Sequence, residues 1–140
     1  MPNLMKLRRE HARLSDIIQS LASFVMQPRP PDAEELFKVR NELTSTLIRH
    51  LKAEDWVLYP RLIANSDPTV AGTALAFSDE MGGLADAYRA YVNKWTAISI
   101  AYDWSAYCEE TRAVIEALIN RINRENRDLY PLVEALDQAA

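Results

Sequence analysis

The sequence predicts an all-α protein, an antiparallel up-down four-helix bundle with an internal pseudo-twofold repeat. Three observations predict it. Apolar residues recur at steps of three and four along four long segments, the period of a helix with one buried face. The three Gly and seven Pro of the 140 residues leave most of the chain without the turn punctuation that many short strands require. The two halves of the chain also match one another at a fixed offset.

The first stripe is Leu7, Leu14, Ile18, Leu21 and Val25, with His11 filling the vacant position, and it predicts a helix over residues 3–26. The segment QPRPPD ends it, because consecutive prolines cannot stay in a helix, and Asp32 is placed to cap a second helix starting near residue 33. That stripe reads Leu36, Val39, Leu43, Leu47, His50, Glu54 and Val57. It is expected to pass Pro60 with a bend and to stop near Asn65. The turn NSDP opens a third helix through Ala74, Phe77, Met81, Leu84, Tyr88, Tyr91 and Trp95, interrupted at Gly82 and Gly83 without a change of period. AISIAYDWS reads as a connector, partly extended. A fourth helix over 104–136 carries Tyr107, Thr111, Val114, Leu118, Arg121, Glu125, Asp128 and Leu132. Four such helices with short connections pack as an antiparallel bundle, and the length fits one domain, 1–140.

The repeat is clearest in helices two and four. LIRHLKAEDWVLYPRL (47–62) aligns without a gap on LINRINRENRDLYPLV (118–133), so that Leu47, Ile48, Glu54, Leu58, Tyr59 and Pro60 reappear as Leu118, Ile119, Glu125, Leu129, Tyr130 and Pro131. More faintly, REHARL (9–14) matches DEMGGL (79–84), which sets Met81 opposite His11. Around the axis of such a bundle, His11, His50 and Glu54 face Met81, Arg121 and Glu125. His50 and Glu54 stand one turn apart and leave the same face, a spacing that suits iron or zinc. The chain has only two His, both on apolar stripes.

At these residues the sequence resembles the hemerythrin-like, or HHE cation-binding, domains, four-helix bundles that hold two irons between the helices. The phrase E-H-x-x-L is met by Glu10, His11 and Leu14, and H-x-x-x-E followed by an aromatic and Pro is met by His50, Glu54, Tyr59 and Pro60. In the second half Met81 and Arg121 stand where the phrases have His, Phe77 stands where some members carry a further His, and Glu125 survives. The resemblance implies that His11 and His50 serve one iron, that Glu54 and Glu125 bridge two, and that the other metal has lost its ligands. The metal ligands expected are thus His11, His50, Glu54 and Glu125, holding one iron or zinc ion or none. Arg121 adds a permanent positive charge, and in the metal-free alternative it bridges the two glutamates as a surrogate cation.

The function expected is a binding or sensory protein with an incomplete diiron site, metal-free or at most mononuclear, and not an oxygen carrier. The alternatives are a mononuclear iron or zinc protein with a redox or sensing role, and a metal-free protein-interaction module. No nucleophile, base and orienting group fall at recognisable spacing, so no enzyme is expected. A net charge of −4 disfavours nucleic acid and membrane surfaces as partners. A protein partner or a second copy is left open, with Trp95 and Trp104 either sealing a bundle end or forming the contact. The single Cys108 excludes an intrachain disulfide and is expected to be packing. With neither a leader nor a membrane span in view, the location expected is cytoplasmic.

Overall fold

The computed structural model describes residues 2–139, so the two ends of the 1–140 span lie outside the described residues. The helices are α1 (Leu4–Val25), α2 (Ala33–Ala53), α3 (Tyr59–Ile63), α4 (Pro68–Met81), α5 (Leu84–Lys94), α6 (Ala97–Tyr102), α7 (Trp104–Arg124) and α8 (Tyr130–Ala139), and no strand occurs among the described residues. They form the four rods of an antiparallel bundle: α1, then α2 with α3, then α4 with α5, then α7 with α8. Each rod packs on two others, α1 on α2 and α7, α3 on α4, and α5 on α7.

Local chemistry sets the ends. The Asn3 side chain accepts from the Lys6 amide, Asp67 from Thr69 with Pro68 in the first turn, and Asp103 from Ala106. Asp32 occupies the cap position of α2, but its side chain makes no cap bond; Glu34 and Glu35 place the negative charge in that first turn instead. The connector AISIAYDWS is helical rather than extended. Thr96 and Ser99 form a reciprocal capping box there, which starts α6 despite its β-branched residues.

Two five-residue π turns, Glu54–Leu58 and Glu125–Leu129, interrupt the second and fourth rods at repeat-related positions, each just before a Tyr-Pro pair. A proline within a helix lacks the amide donor and crowds the preceding turn, and a widened turn is one way to take this up. Each turn holds one residue more than an α turn, so the buried seam slips by one. Leu58, Leu129 and Val133 are buried where the periodicity had placed Val57, Asp128 and Leu132, of which Val57 and Asp128 are exposed and Leu132 half-buried. At Gly82 and Gly83 the third rod breaks into α4 and α5, and a Cβ on Gly82 would run into the Ser78 carbonyl.

The core falls into two apolar clusters. One gathers Leu14, Leu21, Leu43, Leu51, Tyr88, Tyr107 and Leu118 among others; the second includes Leu7, Leu58, Leu62, Phe77, Met81, Leu129 and Tyr130. Along three of the rods the boundary between them is a polar residue: His11 between Leu7 and Leu14, Glu54 between Leu51 and Leu58, Glu125 between Leu118 and Leu129. Trp95 is buried and donates to Glu110, while half-buried Trp104 donates to the Gln27 carbonyl and ties the start of α7 to the end of α1. Both tryptophans therefore seal that end, and the exposed apolar side chains beside them are Ile98 and Tyr102. Cys108 is buried. Among the described residues no helix is long and apolar enough to cross a membrane.

Candidate metal centre

The polar layer brings together the four residues read from the sequence. One ligand atom from each of His11, His50, Glu54 and Glu125 lies within 4.8 Å of every other, and all four residues are buried. They line a cavity of about 10 Å³, roughly the room of one water.

Each imidazole is held from behind. His50 sets Nδ1 3.0 Å from a Glu10 carboxylate oxygen, and His11 sets Nδ1 2.7 Å from the Asn126 side-chain oxygen. With both Nδ1 atoms turned outward to these oxygens, both Nε2 atoms face the glutamates. The His11 Nε2 is 3.1 Å from Glu125 Oε1. The His50 Nε2 is 3.0 Å from Glu54 Oε1 and has no polar partner outside the cluster. Outer acceptors on Nδ1 that fix Nε2 inward are the usual support of a metal-bound histidine.

The glutamates are cross-tied through the repeat. Tyr59 donates to Glu125 Oε2 at 2.6 Å, and Tyr130 donates to Glu54 Oε2 at 2.6 Å. Each tyrosine thus serves the carboxylate of the other half.

Arg121 lies between the two carboxylates. Its Nε donates to Glu125 Oε2 at 3.1 Å and its Nη2 to Glu54 Oε1 at 3.3 Å. The same Nη2 donates to Asp55 at 2.7 Å, and Nη1 to the Met81 carbonyl at 3.3 Å. The residue is only 2% exposed. Met81 and Phe77 are buried in the apolar cluster, so their side chains act as core. Arg124 lies over the Phe77 ring and pairs with Glu80, and Arg127 pairs with Asp128 on an exposed face.

Titration follows from this packing. Burial alone would lower His50, but the Glu54 carboxylate at Nε2 and Glu10 at Nδ1 outweigh it and raise the imidazole to about 9. Glu54 is driven the other way: burial raises it, and His50 together with Arg121 holds it well below the usual carboxylate range. Glu125 is pushed up, first by burial and then by the Glu54 charge. Burial lifts both tyrosine hydroxyls far above their ordinary value, so they remain donors.

Sequence reasoning missed Glu10, Asn126 and Asp55 as supports. Glu10 was visible only as part of a phrase. Asp55 and Asn126 were readable as a repeat pair, each following its glutamate, but neither lies on the apolar stripe.

The donor set fits one cation. Two nitrogens and two carboxylates converge, and the position repeat-related to His50 holds Arg121, which lies across both carboxylates, rather than a third nitrogen ligand. No curated protein and no solved structure matches the chain. The family model of the hemerythrin HHE cation binding domain matches residues 4–133. With the bundle, the repeat and the His/Glu cluster in place, the chain belongs to the hemerythrin HHE cation-binding domain family.

Proposed function

We propose that this chain is a hemerythrin-like binding or sensory protein, one domain over residues 1–140, that holds a single cation and neither carries oxygen nor catalyses a reaction. The observation that supports it best is the contrast between His50 and Arg121. These residues are repeat-related, and each sits one turn before its glutamate. One turns its Nε2 to Glu54 Oε1, 3.0 Å away, with no polar partner outside the cluster; the other places a permanent positive charge on both carboxylates. Two nitrogens with carboxylate oxygens suit iron or zinc. A divalent ion there supplies a Lewis-acid centre. The chain's own groups orient its ligands, through Glu10 and Asn126, and leave a second ion without nitrogen ligands, because Met81 and Arg121 stand at the positions repeat-related to His11 and His50. Oxygen binding of the diiron kind needs both metals.

The test is zinc binding by chelator-stripped protein, wild type against His50→Ala. A loss of affinity of at least about tenfold supports the reading; equal affinity contradicts it.

A second reading, a metal-free interaction module, draws support from one observation: all four oxygens of Glu54 and Glu125 already lie within hydrogen-bond distance of a protein partner. One protonated imidazole together with Arg121 neutralises both carboxylates. A wild-type chain that binds no zinc, with a melting temperature indifferent to chelator, supports this reading over the first.

A further inference from the structure

Two cavities meet at Arg121. The inner one holds the His/Glu cluster. The outer one is a surface groove of about 280 Å³ between the α4–α5 break and α7, lined by Glu80 and the small residues Gly83, Ala87 and Ala117. Arg121 and Leu84 are the residues that line both.

We infer that Arg121 is a displaceable internal cation: it holds Glu54 and Glu125 when no ion is bound, and it moves into the groove beside Gly83 when an ion takes them. The inference rests on the single-cation reading and adds how the site fills. A divalent ion and the guanidinium cannot both be close to the same carboxylates without strong repulsion, which a buried, low-dielectric site magnifies. The guanidinium has somewhere to go, because small residues keep the groove open and a Cβ on Gly83 would meet nothing within 4 Å. It also keeps a tether. Asp55, its shortest partner at 2.7 Å, is partly exposed and outside the ligand set, and Glu80, which pairs with Arg124, adds a carboxylate to the groove's lining. Leu84 is the other residue common to the two linings, so removing the guanidinium from between them would widen their connection.

Two substitutions push in opposite directions. Arg121→Gln removes the competitor, and zinc uptake from a chromophoric chelator should become faster and about tenfold tighter, the change that one lost repulsion of ordinary size produces. Gly83→Phe fills the groove from a position that accepts a side chain, and uptake and release should slow about tenfold while the metal-free melting temperature stays put. Wild-type exchange rates in Gly83→Phe, or weaker zinc binding in Arg121→Gln, overturn the inference even where wild type binds zinc. A wild-type chain that binds no zinc overturns both the inference and the single-cation reading. Should Arg121→Gln fail to fold without metal, the Gly83→Phe rates decide alone.

Discussion

At Tyr59 and Tyr130 two hydroxyls hold two buried carboxylates that apolar packing alone would expel. Each hydroxyl reaches across the repeat; loss of the Tyr130 hydroxyl strands Glu54 Oε2 inside the bundle, whereas Glu125 Oε2 would keep Arg121 as a donor. Tyr130→Phe is therefore expected to cost about 1–3 kcal/mol in urea unfolding, the usual penalty of leaving a buried acceptor unpaired. A neutral result would mean that Glu54 finds water there. His50 supplies a second test at this scale. Its imidazole is raised from an ordinary 6.5 to about 9 in the folded chain. Protonation thus favours folding, fully so below about pH 6.5, and the contribution is lost as pH rises through about 9. Metal-free protein should lose up to about 3 kcal/mol of stability across that window. In His50→Gln the slope should flatten; an unchanged slope would assign it to another group. The paired His and Glu of the site were legible, because residue type and spacing carry them. Their supports were not, because Glu10 and Asn126 act through contacts between rods that no periodicity records.

Helix periodicity assumes one turn length, and the two π turns break that assumption twice. The stripes were legible up to Glu54 and up to Glu125. Beyond each, the buried residue is one place later than the period implies, since five residues fill the turn. The Tyr-Pro phrases were the visible sign of a disturbance, but a bend and a widened turn look alike in sequence. The extra residue is what aims Tyr130 at Glu54 and Val133 at the core. Arg127, exposed within the second π turn, isolates this effect. Arg127→Ala should change stability by less than about 0.5 kcal/mol, as surface substitutions do. Deleting Arg127 rotates α8 by about 100°, turns Tyr130 and Val133 out of the core, and should cost more than about 4 kcal/mol in urea unfolding or prevent folding. If deletion proves as mild as replacement, the widened turn does not set the register. The helical connector α6 was hidden for another reason: its β-branched residues argue against a helix locally, and the Thr96–Ser99 box overrides them.

On the scale of the molecule, the bundle is two copies of one hairpin pair whose linings have diverged. The shared glutamates and tyrosines keep their symmetry, and the cation-seeking groups do not. His50 is answered by Arg121, and His11 by Met81, which lies in the apolar cluster. The symmetric half of this arrangement was readable as a constant offset, and so was the asymmetry, because substitutions stand out against a repeat. Where the guanidinium would settle was not readable; its four acceptors come from the second, third and fourth rods. With Met81 and Arg121 in place of the two repeat-related histidines, only one pair of nitrogen ligands remains, which leaves one place for a metal rather than two. Equilibrium dialysis of chelator-stripped protein against excess zinc, and against ferrous ion without oxygen, followed by elemental analysis, measures that number directly. Saturation at one ion per chain is the predicted result, and two ions per chain, or none, would contradict it.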